Sequence, residues 1–177
     1  AMEASVAPEE IGWAAWRGET DVVRAWLDGG GDASAITIDE GDGWGTLLSM
    51  AVVRKTMNNE GVMDLLLSRG AHVDATDSDG WTALHCLLNS FDAYGSPERL
   101  LRLLLSNGAD VNLAKKSGFL VGQTPLMIAI SFGPDVVRML LRAGADLKHR
   151  GTDHYGRNCN AEEYARSRAN EDVKKKK

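Results

Sequence analysis

A phrase recurs along the chain: a leucine-rich run, two variable residues, a glycine, a small residue and a polar one. It reads Trp26-Leu27-Asp28-Gly29-Gly30-Gly31-Asp32, then Leu65-Leu66-Leu67-Ser68-Arg69-Gly70-Ala71-His72. It returns as Leu103-Leu104-Leu105-Ser106-Asn107-Gly108-Ala109-Asp110 and as Met139-Leu140-Leu141-Arg142-Ala143-Gly144-Ala145-Asp146. The aligned glycines, Gly30, Gly70, Gly108 and Gly144, lie 40, 38 and 36 residues apart. That spacing marks one structural unit with small insertions. The run, preceded by Val22 and Val23 in the first copy and by Val136 and Val137 in the last, has the spacing of an amphipathic helix. The glycine is where this helix stops, because Gly takes the left-handed conformation at little cost. A second helix is signalled upstream by Thr82-Ala83-Leu84-His85 and Thr124-Pro125-Leu126-Met127, since Thr caps a helix and Pro fits its first turn. The small residues Ala14, Ala15, Ala51 and Ala129 let this helix approach its neighbours closely. Each unit is therefore predicted as a short helix, a turn, a second helix and a loop.

Asp77-Ser78-Asp79-Gly80-Trp81-Thr82-Ala83-Leu84-His85 resembles the loop and first helix of an ankyrin repeat, and Gly108-Ala109-Asp110-Val111-Asn112 resembles its closing phrase. The resemblance covers the chain from Glu9 to Asp172. It implies an all-α ankyrin-repeat solenoid of about five stacked helix-turn-helix repeats, with extended or hairpin-like loops between them. A single domain over 8–173 is expected, with repeats near 8–35, 36–75, 76–113, 114–148 and 149–173. The first unit has no leading loop, as an N-terminal cap would. In the fifth, Asp153-His154-Tyr155-Gly156-Arg157 fits the family loop, while the helix from Ala161 to Arg168 fits less well. Its second helix has hardly begun when the basic tail, 174–177, is reached, so this unit reads as a truncated cap or as a piece of a longer protein.

Departures from the family pattern are local. Against a family unit of about 33 residues, the helix-to-helix turn is lengthened by roughly three residues within 54–61 and roughly five within 91–97. The loop 115–123 is lengthened too. Its Phe119, Leu120 and Val121 either form a recognition element or tuck onto the stack.

Composition changes little in this picture. Of 177 residues, 44% are hydrophobic and 25% charged, as in ordinary globular proteins. The net charge of −5 argues against nucleic acid as partner, because phosphate binding needs concentrated Lys and Arg. No apolar run is long enough to span a bilayer, so no membrane role is expected, and the N-terminus lacks the pattern of a signal peptide. Cys86 and Cys159 lie far apart and suit a reducing compartment. These readings point to an intracellular protein, cytoplasmic or nuclear, expected to be a monomer.

The resemblance also implies a binding surface, made of loop tips and first helices. The first-helix position before the small residue is Trp13, Met50, Cys86, Ile128 and Tyr164. If exposed, these five form an apolar stripe of the kind that marks interaction sites. The alternative is burial between adjacent units. Loop tips hold Asp32, Asp39, Glu40 and Asp42, then Asp74, Asp77 and Asp79, then Lys115 and Lys116. The last loop holds Lys148, His149, Arg150, His154 and Arg157. This is either an acidic-to-basic gradient that orients a partner or a set of solvated turn residues. Trp44 and Trp81 sit in the same loops, as contacts or as structural staples. Lys115, Phe119, Tyr155 and Arg157 complete the candidate contacts.

Signs of chemistry are weak. His85 occupies the family's Thr-x-x-His position, a structural hydrogen-bonding role. His149, His154 and Cys159 do not have zinc-ligand spacing. No phosphate-cradling glycine loop occurs, so no cofactor is expected. The reading is a non-enzymatic module that binds another protein or a peptide. The alternatives are an intrachain regulatory or targeting domain of a larger protein, or a self-assembling scaffold.

Overall fold

The computed structural model describes residues 5–39, 43–53, 59–90, 98–117, 120–153 and 156–175, without the side chains of 39, 43, 44 and 170–175. Four helix pairs follow one another among them. They are α1 (Glu9–Arg17) with α2 (Thr20–Asp28), α3 (Leu47–Val53) with α4 (Asn59–Ser68), α5 (Ala83–Asn89) with α6 (Glu98–Ser106), and α7 (Pro125–Ala129) with α8 (Pro134–Arg142). A further helix, α9 (Ala161–Lys175), comes last. The lengthened turns fall largely on 54–58 and 91–97, outside the described residues.

The helix pairs end as their glycines require. Gly30, Gly70, Gly108 and Gly144 have φ of 97°, 85°, 83° and 93°. Each donates its N–H to the carbonyl three residues back, on Leu27, Leu67, Leu105 and Leu141, at 3.0–3.1 Å. The next residue donates to the carbonyl five back, on Trp26, Leu66, Leu104 and Leu140, again at 3.0–3.1 Å. This pair of bonds satisfies carbonyls that the helix end leaves open. First helices start as their caps require. The Thr82 hydroxyl accepts from the His85 N–H, and the His85 ring nitrogen Nδ1 accepts from the Thr82 N–H, which closes a reciprocal capping box. The Thr124 hydroxyl caps α7 by accepting from the Met127 N–H, with no reciprocal bond, and Pro125 sits in the first turn.

The all-α expectation needs one amendment: two of the inter-repeat loops are regular antiparallel hairpins. The strands β1 (Ile36–Asp39) and β2 (Gly43–Thr46) pair from Ile36–Thr46 to Asp39–Gly43. Likewise β3 (Arg150–Thr152) and β4 (Asn158–Asn160) pair from Arg150–Asn160 to Thr152–Asn158. The β-branched run Ile36-Thr37-Ile38 favours a pleated strand over a helix.

Two compact units are formed, the first ending at Ala109 and the second beginning at Asp110. In the first, α1 packs on α3 and α3 on α5, so three first helices lie side by side, with α2 against α4 behind them. Ala14, Ala15 and Ala51 are fully buried where these helices meet, and Val23, Leu27, Met63, Leu66, Leu101 and Leu104 fill the space under the second helices. Polar stitching joins successive repeats: the Ser34 hydroxyl accepts from the His72 N–H at 3.0 Å. In the second unit α7 packs on α8 and α9, and α9 on β4. There Asn112 bridges to the next loop, accepting from the Asp146 N–H at 2.7 Å and donating to the Gly144 carbonyl at 3.0 Å.

The end of the chain departs from expectation. Among the described residues no second helix begins after Arg168. Instead α9 runs unbroken to Lys175, so Lys174 and Lys175 belong to a helix. The sequence explains this, because no Gly or Pro interrupts 161–175. Asn160 and Glu163 start α9 with a capping box of their own, at 2.9 and 3.2 Å.

Candidate functional site

The first helices are short, so the row one position before their small residues sits close to the preceding loops. In the first unit Trp13 and Met50 are half-buried, on the adjacent helices α1 and α3. Trp13 packs edge-on against Trp16 with ring centroids 5.4 Å apart, and its indole N–H donates to Glu9 Oε1 at 2.9 Å. The ring is thus pinned while part of its face stays open to solvent, which suits an interface anchor.

Trp81 is half-buried as well, in the turn that leads into α5. Asp77 builds that turn. Its Oδ1 accepts from the Trp81 N–H at 2.8 Å and from the Asp79 N–H at 3.0 Å, and its own N–H donates to the Trp81 carbonyl at 2.9 Å. Gly80, with φ of 78°, makes the left-handed step. The Trp81 ring stands edge-on to His85 at 6.0 Å. His85 itself is completely buried in its capping role, as the Thr-x-x-His pattern implies.

The rest of the row is closed. Cys86, Ile128 and Tyr164 are 8%, 5% and 2% exposed, so the five residues do not form one open apolar stripe. Burial wins at Ile128 because all five residues of α7 are buried. Tyr164 faces inward, and its hydroxyl accepts from Arg168 at 3.4 Å while the guanidinium lies 5.9 Å from its ring.

The loop residues divide in the same way. Lys115 is not the exposed basic contact expected of it, at 5% exposure. Its N–H donates to the Gln123 carbonyl and its carbonyl accepts from the Gly122 N–H, so the long loop closes over it. Within that loop Leu120 tucks in at 9% exposure, with a φ of 67° that is rare outside glycine, while Val121 stays 47% exposed. Lys116 is exposed. Phe119 and Tyr155, with His154, Glu40 and Asp42, lie outside the described residues, as does the side chain of Trp44.

Arg157 holds the turn position in the second unit that Trp81 holds in the first. The carboxylate there belongs to Asp153, which is 1% exposed and accepts from the Arg157 N–H at 2.9 Å. The guanidinium returns to the same carboxylate at 2.7 Å and reaches the Ser167 hydroxyl at 2.9 Å. Half of it remains in solvent. A cleft of about 210 Å³ beside it is lined by Asp153, Arg157, Cys159, Glu163, Tyr164 and Ser167.

Neither cysteine is primed as a nucleophile. Burial pushes the Cys86 thiol up to about 12, helped by the nearby Asp77 carboxylate. Burial raises Cys159 too, with Asp153 adding to it. Glu163 is shifted the other way, lowered by its hydrogen bond from Arg150. Among the described residues no three His, Cys, Asp or Glu gather as metal ligands, and no helix is long and apolar enough to cross a membrane.

The repeat pattern does not reveal the exposed aliphatic residues at the N-terminal edge of the first unit. Val6 is 54% and Ile38 58% exposed. Their signal was the short alternating run from Ile36 to Ile38, which a helix-based repeat pattern passes over.

A comparison with protein families bears on what such a scaffold does. The family model described as ankyrin repeats (3 copies) matches residues 11–115 and 58–151. Ankyrin repeats are generally protein–protein interaction modules and typically not enzymes. The repeated glycine stops, the Thr-capped first helices and this match together show that the chain belongs to the ankyrin-repeat family.

Proposed function

We propose that the chain binds a segment or surface of another protein, with Trp13, Met50 and Trp81 of the first unit as its central contacts. The observation that carries this reading is selective exposure. At three places on neighbouring elements of one unit a large apolar side chain is left half open, while Cys86 beside them and the matching Ile128 and Tyr164 are closed. Partly open aromatic residues on a rigid scaffold supply contact area with little ordering cost. Trp44 belongs to the proposed surface of the first unit by its sequence position, while Phe119, Tyr155 and the half-exposed Arg157 are proposed as separate contacts on the second unit. Cys86, Lys115, Ile128 and Tyr164 support structure instead. Two free, buried cysteines fit the proposed reducing, intracellular setting.

The test is affinity purification with the chain as bait, identification of bound proteins by mass spectrometry, and titration of the purified partner. Trp81→Ala is expected to weaken binding about tenfold or more, as central aromatic contacts do, with helicity by circular dichroism unchanged. Unaltered affinity would remove Trp81 from the surface.

A further inference from the structure

Trp13 and Trp81, the two half-open rings of the proposed surface, each stand beside a carboxylate. The Trp13 indole N–H donates to Glu9 Oε1 at 2.9 Å, one helical turn back on α1. Trp81 belongs to a turn with two carboxylates, Asp77 and Asp79. The Trp81 N–H donates to Asp77 Oδ1 at 2.8 Å, and the Asp79 N–H donates to the same oxygen at 3.0 Å. The field of this turn reaches α5: burial raises the Cys86 thiol first, and the charges of Asp77 and Asp79 raise it further.

These carboxylates are not matched by cations of the same unit. Glu9 and Asp79 are exposed, and among the described residues neither forms an ion pair. The first unit, 1–109, holds 17 Asp and Glu against seven Lys and Arg. Four of those seven are taken by other carboxylates: Arg17 pairs with Glu19, Arg69 with Asp28, Arg99 with Glu60 and Arg102 with Glu98. Arg54 and Lys55 lie outside the described residues.

A ring with a carboxylate at its side repels an anion. It also suits a purely aliphatic group poorly, because the carboxylate would lose water and gain no partner. A cation on an alkyl stem satisfies both parts. The ring face attracts the charge, the carboxylate pairs with it, and the stem covers apolar surface. Arg fits best, since its planar guanidinium stacks on an aromatic face while donating to a carboxylate. Met50, half-buried on α3 between α1 and α5, offers a soft, adaptable surface to such a stem.

We infer that the partner segment is basic and lays Arg or Lys side chains on Trp13 and Trp81, with Glu9 and Asp79 receiving their charge. This inference rests on the protein-binding reading and adds the chemistry of the partner.

The probes are acetyl-Gly-Arg-Gly-amide and the same peptide with citrulline in place of Arg, which keeps the shape and loses the charge. Each is titrated into the ¹⁵N-labelled full chain, and the tryptophan indole N–H signals and the Asp79 amide are followed. The arginine peptide is expected to shift the Trp13 and Trp81 indole signals and the Asp79 amide at millimolar concentration, and to bind more weakly as salt is added. The citrulline peptide is expected to leave them in place. In Asp79 the backbone N–H serves the turn, so Asp79→Asn keeps that bond. This variant is expected to weaken the arginine response at Trp81 about threefold, as loss of an exposed ion pair does, and to spare the response at Trp13. The inference is overturned by unmoved indole signals at millimolar arginine peptide, by equal shifts with both peptides, which would mark an apolar contact, or by Asp79→Asn without effect at Trp81. If the arginine peptide fails while Trp81→Ala still weakens the captured partner, the protein-binding reading stands and only the basic partner is lost.

Discussion

Gly151 shows how one residue type can be fixed by its neighbour. A Cβ placed there would run into the backbone carbonyl of Gly122, where the long loop crosses β3 and the Thr152 N–H bonds to the Val121 carbonyl. Backbone cannot swing aside as a side chain can. Gly151→Ala is therefore expected to cost about 1–3 kcal/mol, the usual range for overpacking, read as a lower urea midpoint at unchanged slope. No loss of stability would show that the loop and strand are not held in contact. Cys86 illustrates an effect of burial on chemistry. Its thiol is pushed from an ordinary value of 9.0 up to about 12, so the folded state holds the proton more tightly than the unfolded one. The sign follows: this group supports folding in full below pH 9 and withdraws that support as the pH climbs toward 12. In the native chain Cys86 is expected to resist iodoacetamide at pH 8 and to react only after urea is added, as read by mass spectrometry. Fast native labelling would contradict its burial. At this scale the caps and glycine stops were legible, since Thr82, Gly30, Gly70, Gly108 and Gly144 act through local backbone geometry. Exposure was not. Tyr164 and Trp13 hold the same repeat position, and only tertiary packing separates the buried one from the half-open one. Lys115 went astray for the same reason, because its burial accompanies the pairing of its backbone with Gly122 and Gln123 at the far end of the loop.

Elements are fixed here by how they stop as much as by what they contain. The second helices end in matching pairs of hydrogen bonds in four copies, which is why a phrase around one glycine was enough to place them. Where no such stop exists, as in 161–175, the helix runs on and the family pattern gives way to local propensity. The hairpins were half legible. A hairpin-like connection was expected, but the ladder of β1 and β2 is held with Thr37 seated against Gly12, a long-range contact that periodicity does not reveal. Leu104 tests the helical part of this account. It lies on α6, fully buried, one turn before the glycine stop that its own carbonyl helps to form. Truncation leaves a cavity that its neighbours fill only in part. Leu104→Ala is expected to cost about 2–5 kcal/mol, measured by urea denaturation. A melt that barely moves would misplace the repeat core.

At the scale of the whole chain, function follows from what repeats leave uncovered. Within a unit, each helix pair buries its faces against its neighbours, and the stabilising contacts lie there. The first helices and turns are left free to vary. In the first unit that freedom appears as Trp13, Met50 and Trp81 half open. In the second, ion pairs such as Arg157–Asp153 and Arg150–Glu163 take up much of the basic charge. The most direct measurement is hydroxyl-radical footprinting of the chain alone and with its captured partner, resolved by side chain. The account expects oxidation of Trp13, Met50 and Trp81 to fall on binding, while Val22 and Leu141, exposed on the second helices, react as before. Protection of Val22 and Leu141 with Trp13, Met50 and Trp81 unchanged would contradict it.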